Sequence, residues 1–424
     1  MKKNLLLLFI CLVLLLNVFG CVSSSVADEN TKVSSLEENK VQSTKEPPPT
    51  SSFDDEIIAK AIWQDPNNVV LLWSSSINYE YSIYRSNNSN TGFEYIGETV
   101  TESYRDATAK YPNEYYYKIK AKNPQTQQVI ESGPIVAIVD PDKLDTVSVI
   151  MYHNFVSQED IENGIEFEEY SISPSDFELD LIWLKENGYV TITSAELLYF
   201  LKNKEPIPQK AVILSIDDGS WGVYTNAWPL LKKYGMKADF NVIGAQIDAT
   251  WDKLHSGGTR EGEPAPFCTW EELIEMQVSG EINICSHTYG MHIYNKEHRV
   301  GMSMMENESP EEFAKAVKKD YNLALSCIEG WTGNMTETVA YPYSVRSPLG
   351  DQIVLENTGY KILMAGKDAR GTAGNYFVRG CDFSNQLTLM SRPCRMNGTP
   401  ISVYLERIQE KDASNGVNRS VQPS

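Results

Sequence analysis

From Leu144 onward the chain alternates short apolar runs with segments of helical period, and few folds accommodate that alternation. Val147–Tyr152, Ala211–Ile216, Ala238–Ile243, Ile282–Cys285 and Thr338–Ala340 read as strands, with later ones near Lys361–Met364 and Gln386–Leu389. Between them lie helix signals. Ser173-Pro174 supplies a capping hydroxyl and a first-turn proline, Phe177, Leu181 and Leu184 share one face, and Gly188 closes the segment. Thr193 with Glu196 forms a capping box. Trp228–Tyr234 before Gly235, Trp270–Met276, and a long helix from Ser309-Pro310 carrying Phe313, Val317, Tyr321 and Leu325 follow the same logic. Repeated β-α units predict a parallel barrel or sheet, in which reactive groups gather at the carboxyl ends of the strands.

Asp217 and Asp218 stand at one such end, and His287 and His292 stand just beyond another. The chain has only five histidines, so two within Ser286-His-Thr-Tyr-Gly-Met-His292 form a concentrated donor set. A hydrolytic divalent metal takes three protein ligands and leaves a position open. These four residues supply three ligands plus a spare carboxylate that can act as base. Adjacent aspartates on a strand point to opposite sides, so one must reach the site from a turn, which Gly219 permits.

The remainder of the chain sets the context. At 424 residues it predicts two folded units, and a net charge of −20 argues against nucleic acid or an anionic membrane surface as the main partner. Lys2 and Lys3, an apolar run from Leu5 to Leu16 and Val18-Phe-Gly-Cys21 describe an export signal. The last four residues resemble a bacterial lipobox, which implies cleavage after residue 20 and a lipid on Cys21 that anchors the protein outside the cytoplasm. Ordinary signal-peptidase cleavage and an uncleaved anchor are the alternatives. Residues 21–55 are poor in apolar side chains and read as a tether. Of the seven cysteines, Cys268, Cys285, Cys327, Cys381 and Cys394 show no framework spacing; free thiols are expected, with Cys381–Cys394 the one conceivable bridge.

Residues 56–141 read as a β-sandwich. Val69–Trp73 and Tyr81–Arg85 are strand-like, and Tyr115, Tyr117, Ile119 and Ala121 alternate with Tyr116, Lys118, Lys120 and Lys122. With Tyr104-Arg-Asp106, these runs resemble a fibronectin type III module.

The motifs Ser215-Ile-Asp-Asp-Gly219, Ser286-His-Thr-Tyr-Gly-Met-His292 and Tyr341-Pro-Tyr343 resemble, in order and spacing, those of the polysaccharide deacetylases, the NodB-homology carbohydrate esterases. The resemblance covers about residues 145–407 and implies a distorted (β/α) barrel. It implies Asp217 as general base, Asp218, His287 and His292 as ligands of a divalent metal, zinc foremost, and the Tyr343 amide as an oxyanion donor. Two positions depart from the family pattern. The third motif lacks its arginine, since Ala340 precedes Tyr341, and Arg392 and Arg395 are the candidates to replace it. No histidine follows His298 to supply the usual late acid. The Val149-Ile-Met-Tyr-His153 strand resembles the opening of the branch acting on poly-N-acetylglucosamine, which implies His153 as the acid.

The expected activity is therefore removal of N-acetyl groups from an extracellular acetylated polysaccharide. An O-acetyl esterase on a glycan such as xylan and an inactive surface glycan-binding protein are the competing readings. Trp221, Trp270 and Tyr341 are candidates to flank a sugar, with core packing the equal alternative. His255 and His298 are expected in solvated loops, and residues 408–424 as a polar tail. Oligomeric state is not legible.

Overall fold

The structure is a computed structural model that describes residues 57–414, apart from 66–67, 75–78, 111–112, 140–143, 158, 161–168, 264, 294–298, 367–373, 381–382 and 384–387. The export signal, Cys21 and the tether lie outside the described residues, as do Cys381 and His298.

The first eight strands form two antiparallel sheets. Strands β1 (Ile58–Asp65), β2 (Asn68–Ser74) and β5 (Ser103–Asp106) make one. The other orders β4 (Glu94–Thr99), β3 (Glu80–Ser86), β6 (Asn113–Lys122) and β7 (Val129–Glu131), with β8 (Ile135–Val139) also on β6. Strand β6 alternates as its sequence requires: Tyr115, Tyr117, Ile119 and Ala121 are buried. Lys118 and Lys120 point outward, where both pair with Glu131. The core between the sheets gathers Val69, Leu71, Trp73, Tyr81 and Ile83.

The larger sheet is a nearly closed barrel. Parallel strands β9 (Leu144–Tyr152), β13 (Ala211–Ile216), β14 (Ala238–Val242), β15 (Ile282–Ser286), β16 (Thr338–Ala340), β17 (Ile362–Gly366) and β19 (Leu389–Arg392) pair in that order. Short β12 (Val190–Thr191) joins β13, and antiparallel β18 (Asn375–Val378) flanks β9. Two-residue strands β10 (Asn154–Phe155) and β11 (Ser171–Ile172) pair beside it. The ring is drawn together where the chain after β19 returns to β9. Met151 N donates to Pro393 O at 2.9 Å and Arg395 N to Met151 O at 2.8 Å.

Helices cover the outside. Helix α1 (Pro174–Glu186) is capped by Ser173, and α2 (Ser194–Asn203) carries the Thr193–Glu196 capping box. After α3 (Trp228–Tyr234) and α4 (Gly244–His255), α5 (Trp270–Ser279) and α6 (Pro310–Thr332) open with capping boxes at Thr269 and Ser309. Helix α6 buries Phe313, Val317, Tyr321, Ala324 and Ile328, a stripe at i, i+4 and i+3 spacing. Helices α7 (Pro348–Asn357) and α8 (Ile401–Ser414) complete the set.

Three sequence expectations change, while the free thiols are found as expected. The strand expected at Gln386–Leu389 instead runs Leu389–Arg392, which carries Arg392 to a strand end. The chain does not turn into a polar tail at residue 408: α8 continues to Ser414 and buries Ile408 and Asp412. His255 is exposed as expected, but it ends helix α4 and stacks on Trp251 at 4.1 Å rather than lying in a loop. Cys394 is a free thiol, as are Cys268, Cys285 and Cys327.

Deep in the barrel, Asp239 accepts from Ser194 N with both oxygens and from Asn283 Nδ2 at 2.8 Å. Burial pushes its carboxyl up from 3.8 to about 6, with these hydrogen bonds pulling the other way. Because the folded value exceeds the unfolded one, the native state binds the extra proton. The associated stability is complete below about pH 4 and is lost as pH rises through 6. At roughly 1.4 kcal/mol per pKa unit, the span is about 3 kcal/mol. Asp239→Asn, which cannot ionise, is expected to flatten this part of the profile in urea unfolding between pH 4 and 6.5. An unchanged slope would show that other groups control it.

Candidate active site

Strand β13 ends at Ile216, and the next three residues turn sharply: Asp218 has φ 80° and Gly219 φ 99°. This left-handed step lets two consecutive carboxylates face the same centre. Asp217 is buried at 2 % exposure, and Asp218 is part-buried. His287 follows β15 directly, and His292 lies five residues further along the same connection.

Asp218, His287 and His292 converge, with one ligand atom of each lying within 4.8 Å of the others. His287 Nε2 is 3.5 Å and His292 Nε2 is 3.3 Å from Asp218 Oδ1. That oxygen is buried and accepts no hydrogen bond. Both imidazoles are held by their other nitrogen. His287 Nδ1–H donates to Ala340 O at 2.9 Å, and His292 Nδ1 lies 3.1 Å from the Tyr343 hydroxyl. Such bonds fix the ring so that Nε2 presents its lone pair inward. Burial pulls His287 down to about 4 against the two aspartates, so it is neutral at pH 7. A buried carboxylate oxygen without a donor, facing two oriented imidazole nitrogens, fits a divalent cation. Among the described residues no other group of three such side chains converges.

Asp217 is held by a residue far away in sequence. Arg392 donates from Nη1 to Oδ1 at 2.6 Å and from Nη2 to Oδ2 at 2.8 Å, a bidentate pair with Arg392 wholly buried. Arg392 Nη1 also reaches Ser215 Oγ at 2.9 Å, and Asn241 Nδ2 donates to Asp217 Oδ1 at 2.8 Å. Burial raises the Asp217 carboxyl, but Arg392 and His287 more than offset it and hold it well below the usual range. Arg392 thus occupies the place left by the missing third-motif arginine. Arg395 does not: it pairs with buried Asp180 at 2.8 Å, and Asp180 also accepts from Tyr152 Oη and Ile401 N. That cluster clamps the segment following Arg392 against β9.

His153 lies just past β9, with Nδ1 3.6 Å from Cys394 Sγ and its ring 5.2 Å from that of Tyr170. It is near enough for its charge to favour ionisation of both Asp217 and Asp218. Burial pushes the Cys394 thiol up to about 12, so it faces His153 as a neutral S–H. Tyr343 has φ 55° and Ser344 φ 59°, two successive left-handed residues of the kind that concentrate at functional loops.

A groove of about 800 Å³ opens beside the site, with Met151, Tyr170, Tyr343, Arg346, Cys394 and Arg407 in its wall. Of the two readings open for Trp221, Trp270 and Tyr341, packing holds, and none of them lines the groove. Trp270 and Tyr341 are buried, and Trp221 packs under Arg260 with its indole N–H on Glu272. Tyr170 and Tyr343, both partly exposed, line the groove instead. Sequence alone could not find Tyr170, because no periodicity marks it. Arg392 was discoverable only as one of two nearby arginines.

Residues 204–362 match the family model described as polysaccharide deacetylase. The poly-beta-1,6-N-acetyl-D-glucosamine N-deacetylase of Escherichia coli (strain K12) is 30% identical over 122 residues, 29% of this chain and 18% of that protein. The enzyme of the same name from Staphylococcus aureus (strain MRSA252) is 28% identical over 180 residues, 42% of this chain and 56% of that protein. The chain therefore spans less than two thirds of the length of these relatives. Among solved structures, a de-N-acetylase from Aggregatibacter actinomycetemcomitans aligns with a TM-score of 0.51 at 20% identity, covering 62% of this chain and all of that one, which shows a common fold. With the seven-stranded barrel and the matching segment in agreement, the chain carries a polysaccharide deacetylase domain over residues 204–362.

Proposed function

We propose that the chain is a metal-dependent hydrolase that removes N-acetyl groups from N-acetylglucosamine units of an extracellular polysaccharide. The observation that carries this reading is the pairing of a three-donor cluster with a separate, rigidly held carboxylate. Asp218, His287 and His292 would hold the ion, and two imidazoles with one carboxylate suit zinc. When bound, a divalent ion supplies Lewis-acid chemistry, lowering the pKa of water from near 16 to about 7 and polarising a carbonyl.

The chain's own groups do the rest. Asp217 accepts the proton of the attacking water. Arg392 keeps it ionised and aimed, and its contribution is orientation more than basicity, because a carboxylate held so low is a weak base. The Tyr343 amide, in its left-handed turn, donates to the developing oxyanion. His153 gives a proton to the leaving nitrogen as the carbon–nitrogen bond breaks, releasing acetate and the free amine. The names of the curated relatives and the His153 strand favour poly-N-acetylglucosamine as the polymer class. The missing motif arginine would favour an inactive binding protein, and the Arg392–Asp217 pair weighs against that reading.

The first twenty-one residues support export and a lipid anchor on Cys21, and the eight-stranded sandwich supports a fibronectin type III-like spacer. No helix among the described residues is long and apolar enough to cross a membrane. The test compares acetate release from N-acetylglucosamine oligomers and from acetyl-xylan. A preference of tenfold or more for the former is expected, and the reverse preference would make the protein an O-acetyl esterase.

A further inference from the structure

The two histidines of the proposed ligand set share one short loop, so their separation depends on how that loop is held. Its start is fixed by His287 N to Val242 O at 2.9 Å. Thr288 then takes φ 71°, and the amides opening α4 bind the loop's carbonyls: Gly244 N to Thr288 O at 3.1 Å and Ala245 N to Tyr289 O at 2.9 Å. The next two amides turn the opposite way, onto one carboxylate. Tyr289 N donates to Asp320 Oδ1 at 3.0 Å and Gly290 N to Asp320 Oδ2 at 2.8 Å. Asp320 sits in the middle of α6, between buried Val317 and Tyr321, so its helix is anchored in the core.

We infer that Asp320 is a positioning residue, which sets the path of the loop between His287 and His292 and so the geometry offered to the metal. The inference rests on the metal reading of the site. Asp320 touches no proposed ligand side chain. It acts because a charged acceptor taking two consecutive amides fixes the peptide plane between them, two residues ahead of His292. A neutral acceptor can satisfy one of those donors well but not both, since an amide side chain offers only one oxygen. Supports of this kind for a ligand commonly change metal affinity by about 10–100-fold when removed. Acting one step further back, Asp320 is expected at the lower end of that range.

The experiment titrates cobalt(II) into the metal-free full-length protein and its Asp320→Ala and Asp320→Asn variants, reading both the dissociation constant and the visible ligand-field bands. Hydrogen exchange of the Tyr289 and Gly290 amides is followed alongside. Asp320→Ala is expected to bind cobalt about tenfold more weakly, with altered bands and faster exchange at both amides. Asp320→Asn, which retains one acceptor and the shape of the side chain, is expected to fall between. Should the alanine variant not fold, weaker cobalt binding by the asparagine variant carries the test. Faster amide exchange with cobalt affinity within twofold of wild type would reduce Asp320 to a role in loop stability and overturn the inference alone. A wild-type chain that takes up no cobalt would overturn the metal reading beneath it.

Discussion

Asp217→Asn is expected to lower acetate release by about 10²–10⁴-fold while leaving one metal per chain. Asparagine keeps an oxygen for Arg392 but cannot accept the proton of the attacking water. Metal content should hold because the donors are Asp218, His287 and His292, whose atoms converge without Asp217. Asp217 Oδ2 lies 3.9 Å from His287 Nε2. Its two oxygens are already engaged by Arg392 at 2.6 and 2.8 Å. Parallel measurement of acetate and bound metal separates the roles. Loss of metal in this variant would make Asp217 a ligand and require another base.

Arg392→Met is expected to lower kcat/KM by about 100-fold or more, through misplacement of Asp217 rather than loss of any reacting group. Stability should fall too, by about 3–5 kcal/mol, because the substitution strands a buried carboxylate without its cation. Coupling provides the discriminating readout. In the Asp217→Asn/Arg392→Met double variant no charge is stranded, so denaturant unfolding should recover most of the lost stability. Activity should not recover, since the base is gone. Additive stability losses would mean that Arg392 acts mainly through Ser215 and its packing, not through Asp217.

The parts of this molecule legible in the sequence are those whose causes are local. Ser173, Thr193 and Ser309 cap helices through side chains three residues from the amides they bind, so hydroxyl, spacing and acid can be read directly. The metal-ligand candidates were legible because each pair, Asp217-Asp218 and His287-His292, is close in sequence and the barrel has only to bring two strand ends together. Arg392 was legible only as one of two candidates, because its partner lies 175 residues away and its strand begins later than the apolar pattern suggests. Helix α8 was missed for a related reason. Ile401, Leu405 and Ile408 form a buried stripe, but the charged residues between them give the segment a polar average. Helix α7 opens with Ser347 and Pro348, the same local signal as at Ser173 and Ser309. The sugar-facing aromatics could not be singled out because indole and phenol rings mark cores as readily as grooves. Only burial distinguishes Trp270 and Tyr341 from Tyr170 and Tyr343.

The central claim is that Asp218, His287 and His292 hold a metal on which deacetylation depends. It is tested most directly by measuring bound metal and acetate release from N-acetylglucosamine oligomers together, before and after chelation, in the wild type and in His287→Ala. One metal per chain is expected in the wild type, with activity lost on chelation and restored by zinc, and neither metal nor activity in His287→Ala. Acetate release that persists at the wild-type rate in the chelated protein or in His287→Ala would contradict it.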